Sequence, residues 1–204
     1  QTNSVFAGAP EDPDFVAVTA WAPDADGGQW FGNFGVGAHF LDASGLFTTF
    51  REGASSLSSG RIRGITVGTD NSVWFATDSR LSRYQPGSDL WDVFGTTEGL
   101  LSPQGNAVGS SNTGDLWVGT DAGISQIEPG NAMTSYGLPG GLNTSRVTAL
   151  DTDARGNVWV GTPSGLGKFG PETFDWEVFT VDSSPLAASQ INAVTVNDGT
   201  GQIW

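Results

Sequence analysis

The chain alternates short apolar runs with polar turns that contain glycine, most clearly over residues 147–179. Within each run, apolar and polar residues alternate with a period of two, which is the pattern of a β-strand. This pattern predicts strands at 147–150, 158–162, 166–169 and 176–179. Four antiparallel strands in a repeat of 42–45 residues are typical of a β-propeller blade.

The same unit recurs along the chain in three independent series. Tryptophans recur at spacings of 44, 43, 42 and 45 residues, at Trp30, Trp74, Trp117, Trp159 and Trp204. A second series is aromatic (Phe6, Phe50, Phe94, Tyr136, Phe179) and a third is small (Ala20, Gly64, Ala107, Ala149, Ala193). Because the three series share one period, we predict an all-β fold, a β-propeller of four-stranded antiparallel blades. We expect the small residues on crowded inner strands and the tryptophans in the core between blades.

The repeat divides the chain into complete blades at about 15–57, 58–101, 102–142 and 143–186, with partial blades at 1–14 and 187–204. Two explanations of the partial blades are open. In one, a strand at 2–6 pairs with a strand at 191–196 and closes a five-bladed ring. In the other, which we favour, further blades follow Trp204, because an inner apolar strand would otherwise leave an unprotected edge.

The charge of the chain narrows the range of partners. Eight Lys and Arg residues against 22 Asp and Glu give a net charge of −14. A nucleic-acid surface needs clustered cations and an anionic membrane surface attracts them, so neither partner is expected. No apolar run approaches the roughly 18 residues that cross a bilayer, so we expect no direct membrane insertion. The expected partners are a protein, further propeller blades or a small ligand.

The residues that carry catalysis are scarce in this sequence. The single histidine, His39, shares its repeat position with Arg83, Gln126 and Lys168, which are polar, so we expect it to face solvent. One histidine and no cysteine support neither a transition-metal cluster nor a Ser–His–Asp triad, so no catalytic residue is predicted.

Asp151 and Asp153 are two residues apart and precede a glycine, which resembles part of a calcium loop. The turn lacks the distal bidentate Glu of such a loop, and Asp also favours turns by accepting bonds from backbone amides. We therefore predict no cofactor and keep calcium at this pair as the alternative.

Polar side chains precede each inner strand at matching positions, and we expect them to ring the mouth of the central channel. The first set is Arg61, Gln104, Arg146 and Gln190, and two residues further on lie Arg63, Asn106, Thr148 and Asn192. Their donors could hold a carboxylate, a sugar or the carbonyls of a partner. The alternative is that they bond to neighbouring loops.

Two more tryptophans, Trp91 and Trp176, lie on the predicted outer strands. We expect them either to cover the blade edge or to contact a neighbouring subunit.

Residues 147–162 read Val-Thr-Ala-Leu-Asp-Thr-Asp-Ala-Arg-Gly-Asn-Val-Trp-Val-Gly-Thr, and Ser-Gly-Leu-Gly-Lys-Phe follows at 164–169. This phrase resembles the two-component regulator propeller repeat, and virginiamycin B lyase-like propellers share much of it. The first unit departs from it, with Phe31-Gly-Asn33 in place of Val-Gly-Thr.

The resemblance implies a non-enzymatic propeller outside the cytoplasm, periplasmic or secreted. It would serve as a ligand-sensing or protein-binding module, or as a structural subunit of a larger assembly. The alternative is a propeller lyase or hydrolase whose catalytic residues lie mainly outside this stretch.

Overall fold

A computed structural model of the chain describes residues 17–53, 57–197 and 199–204. These residues form four four-stranded antiparallel sheets and one two-stranded sheet, in which strands that follow one another in sequence are paired. This arrangement confirms the β-propeller prediction, and the four larger sheets are named blades 1 to 4. The predicted strand at 2–6, with Phe6, lies outside the described residues.

The strands of each blade run outward from the inner strand in chain order. Blade 1 contains β1 Val18–Pro23, β2 Gln29–Asn33, β3 Ala38–Leu41 and β4 Phe47–Phe50. Blade 2 contains β5 Ile62–Val67, β6 Val73–Thr77, β7 Leu81–Gln85 and β8 Leu90–Phe94. Blade 3 contains β9 Gly105–Ser110, β10 Leu116–Thr120, β11 Gly123–Ile127 and β12 Met133–Tyr136, and a short 3₁₀ turn, Gly140–Leu142, follows. Blade 4 contains β13 Ala149–Thr152, β14 Val158–Thr162, β15 Gly165–Gly170 and β16 Asp175–Phe179, and β17 Val196–Asn197 and β18 Gln202–Ile203 form the small sheet.

The antiparallel order gives the propeller two distinct faces. The turns between the first and second strands, and between the third and fourth strands, lie at one end of each blade, which we call the hairpin face. The turns between the second and third strands, and the links from one blade to the next, lie at the other end, which we call the linker face.

Small residues on the inner strands allow the blades to approach each other closely. The inner strands β1, β5, β9 and β13 pack successively against one another. A Cβ added to Gly64 on β5 would lie 3.3 Å from both the backbone nitrogen and Cγ1 of Val108 on β9. This close approach explains the series of small residues at this position of the repeat.

Hydrogen bonds from inner-strand side chains connect each blade to the next. At the linker face, a side chain on or just before one inner strand donates to a backbone carbonyl of the following inner strand or of the segment that leads to it. The pairs are Thr19 to Ile62, Asn106 to Val147, and Thr148 to Ile191. At the hairpin face the direction is reversed, and Ser110 donates to Val67 and Thr152 donates to Ser110. These bonds satisfy backbone groups that would otherwise be buried without partners.

The tryptophan series forms the core between blades. Trp30, Trp74, Trp117 and Trp159 are 1%, 5%, 1% and 8% exposed, which confirms the prediction for these four. The prediction is wrong for Trp204, which is 72% exposed. Within the described residues its sheet has only two strands, so no third strand covers the indole ring.

The prediction that His39 faces solvent is wrong, because the residue is 1% exposed. Its Nε2 lies 2.9 Å from Asn33 Nδ2, and its Nδ1 lies 3.0 Å from Thr49 Oγ1. The spacing along the sequence aligns His39 with Arg83. This alignment is incorrect because the turn from β2 to β3 is one residue longer than the turn from β6 to β7.

The longer turn shifts the register of blade 1 by one residue. Trp30 pairs with Phe40, whereas the equivalent Trp74 pairs with Arg83. Phe40 therefore takes the position of Arg83, and His39 takes the buried position of Ser82. A shift of one residue turns every side chain of a strand to the opposite face, which is why His39 lies in the interior.

Candidate functional site

The linker face brings together two arginines and an exposed aromatic ring. Arg61 immediately precedes β5 and Arg63 is its second residue, while Phe34 follows β2 of the preceding blade. The guanidinium carbons of Arg61 and Arg63 lie 5.1 and 5.6 Å from the centroid of the Phe34 ring. The ring is 50% exposed, so the two cations flank an aromatic surface that is open to solvent.

Phe34 did not emerge from the sequence as a candidate. It occupies the repeat position of Asp78 and Asp121, each of which follows the last residue of a second strand. The sequence feature that could have indicated Phe34 is the departure of the first unit from the Val-Gly-Thr pattern.

Two further arginine contacts lie on the same face. Arg61 Nη1 is 3.4 Å from Asp78 Oδ2, and Arg146 Nε is 3.5 Å from Asp121 Oδ1. The arginine side chains are 57% and 55% exposed. Exposed ion pairs of this kind contribute little to stability, and they leave most of each guanidinium accessible.

Polar side chains connect these arginines across the blades. With its amide oxygen turned toward β5, Gln104 accepts hydrogen bonds from Arg63 Nη2 at 2.9 Å and from Nε at 3.3 Å. Asn106 Nδ2 donates to Asp121 Oδ1 at 2.8 Å, and the same carboxylate contacts Arg146. A polar surface therefore extends from blade 2 to the link before blade 4.

The remaining predicted ring residues lie apart from this surface or bond between blades. Gln190 Nε2 donates to Asn192 Oδ1 at 2.8 Å within a single exposed segment. Thr148 donates to the Ile191 carbonyl and Asn106 to the Val147 carbonyl, in the segments that lead to the following inner strands. For these two side chains the structure supports the alternative that they bond to neighbouring segments.

Trp91 and Trp176 pack against the core between blades, and both are partly buried. The ring centroid of Trp91 lies 4.8 Å from that of Tyr84 and 5.7 Å from that of Phe50 in the preceding blade. The ring centroid of Trp176 lies 4.9 Å from that of Phe169. Contact with a neighbouring subunit stays a prediction for their exposed edges.

The carboxylates of the calcium alternative accept hydrogen bonds from the protein itself. Asp153 Oδ1 accepts from the backbone amides of Arg155 and Asn157, both at 2.9 Å, and its Oδ2 accepts from Trp159 Nε1 at 3.1 Å. Asp151 Oδ2 accepts from the Val196 amide at 2.8 Å. Over residues 17–53, 57–197 and 199–204, no group of three His, Cys, Asp or Glu residues could hold a metal ion. Calcium at this pair stays the alternative to the prediction of no cofactor.

The bonds to Asp153 predict a pH dependence of stability. Burial alone would raise the pKa of this carboxyl, but the hydrogen bonds from Asn157, Trp159 and two backbone amides outweigh it and lower the pKa below 3.8. A folded-state pKa below the unfolded value stabilises the fold above the unfolded pKa, and this contribution is lost as the pH falls. Asp153→Asn should lower the free energy of unfolding at pH 7, as measured by denaturant titration. When the pH falls below about 4, the variant should lose less of its unfolding free energy than the parent chain loses. Equal losses in both proteins at acid pH would contradict this role.

Comparison with known proteins identifies the repeat. Residues 141–164 match the family model of the two component regulator propeller. A comparison with curated proteins finds no match. No helix in the described part of the chain is long and apolar enough to cross a membrane.

Several solved structures share the fold. The extracellular domain of the hybrid two component system BT4673 from B. thetaiotaomicron is 21% identical, with a TM-score of 0.78 over 93% of this chain and 26% of that one. The corresponding domain of BT3049 is 21% identical, with a TM-score of 0.77 over 91% and 26%. Virginiamycin B lyase from Staphylococcus aureus is 16% identical, with a TM-score of 0.73 over 89% and 61%.

At these identities the likeness shows the fold alone. The chain spans about a quarter of the length of the two BT structures. The match at residues 141–164, in the blade whose phrase resembled the repeat, confirms the prediction: the chain is a β-propeller that carries the two-component regulator propeller repeat.

Proposed function

We propose that this chain is a non-enzymatic, ligand-sensing propeller outside the cytoplasm, and that its linker face binds a ligand rich in carboxylates. The observation that carries the proposal is the pair of guanidinium groups flanking the half-exposed ring of Phe34. Guanidinium N–H groups match the geometry of a carboxylate, and an exposed ring offers an apolar surface beside it.

The distribution of charge supports this choice of face. Five of the eight basic residues lie at or near the linker face: Arg51, Arg61, Arg63, Arg80 and Arg146. The described carboxylates of its links and turns are also five: Glu52, Asp78, Glu98, Asp121 and Asp182. The linker face is therefore close to neutral in a chain of net charge −14, and its arginines are clustered where an acidic ligand would need them.

The fold supports the sensing role and the location. Two structures with this fold are extracellular domains of two component systems, and the match at residues 141–164 is to the propeller repeat of such regulators. We propose the same location for this chain. The sensing role would belong to a longer protein that includes the propeller. His39, the only histidine, is 1% exposed, so it offers no exposed general acid or base to an enzymatic alternative.

Loss of the two exposed arginines should abolish most ligand binding. We expect R61A/R146A to weaken binding of an oligogalacturonate, a sugar that carries carboxylates, by about tenfold or more, because each change removes a charged hydrogen-bond donor. The melting temperature should be unchanged, because both side chains are more than half exposed. Isothermal titration calorimetry measures the binding, and differential scanning calorimetry measures the melting.

Two controls accompany this experiment. Arg155→Ala removes an exposed arginine from the hairpin face and should leave binding unchanged. The methyl-esterified oligogalacturonate lacks the charges and should bind weakly to every variant. Undiminished binding in R61A/R146A would overturn the proposed site, and a fall in melting temperature would favour a structural role for the arginines.

A further inference from the structure

A large cleft opens on the hairpin face between blades 1 and 2, opposite the face described above. Its volume is about 1080 Å³. Trp30, Phe40 and Tyr84 contribute to its apolar walls, and Asp24, Asp26, Asp42 and Asp70 contribute four carboxylates from the turns of both blades. A cleft of this size accommodates a ligand of several amino-acid residues.

The hairpin face is strongly acidic. Its described turns contain one basic residue, Arg155, and nine carboxylates: Asp24, Asp26, Asp42, Asp70, Asp89, Asp115, Glu128, Asp153 and Glu172. The net charge of the chain is therefore concentrated on the face that holds the cleft. Negative walls of this kind raise the local concentration of cations.

Arg83 lines the cleft but does not neutralise it. Its Nη2 and Nε bond to Asp92 Oδ2 at 2.5 and 3.0 Å, and its Nη1 donates to Asn131 at 2.8 Å. The guanidinium also packs over the ring of Trp74, 5.1 Å from the centroid. The charge of Arg83 is thus matched by Asp92, and the four aspartates of the cleft keep their own charge.

The four aspartates of the cleft differ in how many hydrogen bonds their carboxylates accept from the protein. Ser44 and backbone amides donate to Asp42 and lower its pKa, so it is ionised at neutral pH. Asp70 accepts from the hydroxyl and the backbone amide of Ser72. Asp24 accepts one long bond, 3.4 Å from the amide of Asp26, and the carboxylate of Asp26 accepts none from the described residues. The carboxylates of Asp24 and Asp26 are therefore largely available to a ligand.

A second, independent observation points to a ligand in the same cleft. The indole Nε1 of Trp30 is buried and has no hydrogen-bond partner, although Trp30 lines the cleft. The equivalent groups of Trp74 and Trp159 donate to Ser72 and Asp153, in the hairpin-face turns of their own blades. By this equivalence, the indole N–H of Trp30 faces the turn that carries Asp24 and Asp26. A buried N–H without an acceptor costs free energy that a ligand oxygen would recover.

The register shift of blade 1 excludes the serine acceptor found in blade 2. The counterpart of the blade 4 acceptor Asp153 is Asp24, which does not bond to the Trp30 indole. Gly28 stands at the repeat position of Ser72, and a Cβ there would lie 2.5 Å from the ring of Phe40. Phe40 stacks on Trp30, with ring centroids 4.6 Å apart, and leaves no room for an acceptor side chain at position 28. In blade 1 the indole N–H is therefore a donor without an acceptor, whereas the equivalent N–H groups of blades 2 and 4 donate to side chains of their own blades.

We propose that this cleft binds a positively charged peptide segment of a partner protein, in addition to the linker-face ligand of the proposed function. Lysine or arginine side chains pair with Asp24 and Asp26, and a backbone carbonyl of the segment accepts from the indole N–H of Trp30. A peptide supplies both groups on one chain, whereas a simple metal or ammonium ion supplies no acceptor for the indole.

Titration of the 204-residue chain with a short Lys-Gly repeat peptide tests this assignment. In ¹⁵N-resolved spectra, the indole N–H resonance of Trp30, identified by its loss in Trp30→Phe, should move downfield as it gains an acceptor. D24N/D26N should weaken the peptide roughly fivefold, because each partly exposed charge pair contributes modestly. The change in melting temperature of D24N/D26N should be small, since these carboxylates accept few bonds.

A charge-matched control separates a specific site from general attraction to an acidic protein. Glu172→Gln with Asp182→Asn removes the same charge from exposed positions away from the cleft and should leave the affinity unchanged. An equal loss in this control, equally tight binding of an uncharged Ser-Gly peptide, or binding that leaves the Trp30 resonance in place would overturn the proposal. None of these outcomes bears on the linker-face site, because its arginines are intact in every variant.

Discussion

Replacing Trp117 with alanine should lower the free energy of unfolding by about 4 kcal/mol, the largest effect expected of any single change in this chain. Trp117 is 1% exposed and lies between blades 3 and 4. Its ring centroid is 5.8 Å from that of Phe169 in blade 4 and 5.9 Å from that of Tyr136 in blade 3. The substitution removes the transfer free energy of the indole and leaves a cavity at a junction that both blades share.

The repeat provides its own control for this prediction. Trp204 occupies the same repeat position but is 72% exposed, so Trp204→Ala should change the free energy of unfolding by less than about 0.5 kcal/mol. Guanidinium unfolding followed by circular dichroism measures both variants without depending on tryptophan fluorescence. Equal losses at the two positions would show that repeat position, rather than burial between blades, determines the contribution of the tryptophan.

The propeller could be predicted because its core is repetitive. Each blade buries a tryptophan at the same step of the repeat, and the inner strands need small residues wherever they meet. Both requirements leave a periodic record in the sequence, at Trp30, Trp74, Trp117 and Trp159 and at the small positions one strand earlier. The period can be detected in a single sequence because the same packing is repeated in each blade.

The candidate sites could be predicted only in part, because they depend on departures from the repeat. Repeat position predicted Arg61, Arg63 and Arg146 as candidates, but the contact of Phe34 with two of these arginines appears only in the structure, where β2 and β5 lie side by side. The single additional residue in the turn from β2 to β3 has wider consequences. It buries His39, brings Phe40 over Trp30, and excludes a serine acceptor for the indole N–H at position 28. An insertion of one residue is small in the sequence, yet it reverses the facing of a whole strand.

Replacing Gly165 with alanine should destabilise the chain by about 3 kcal/mol, from backbone strain and steric overlap together. Gly165 begins β15 with φ +149°, a conformation that residues with a Cβ rarely adopt. A Cβ at this position would lie 2.5 Å from the backbone oxygen of Phe179 on β16, which cannot move without disturbing the ladder between these strands. Gly37 and Gly123 meet the carbonyls of Phe50 and Tyr136 in the same way, so blades 1, 3 and 4 share the requirement. Blade 2 has Arg80 at this position of the repeat, without a positive φ.

Gly130→Ala is the matched control, because no atom lies within 4 Å of the Cβ position at this glycine in an exposed hairpin-face turn. Its effect on the free energy of unfolding should be below about 0.5 kcal/mol, measured by the same guanidinium titration. If Gly165→Ala cost no more than Gly130→Ala, the third and fourth strands of a blade could separate without loss. The close approach of these strands would then not be the reason for glycine at positions 37, 123 and 165.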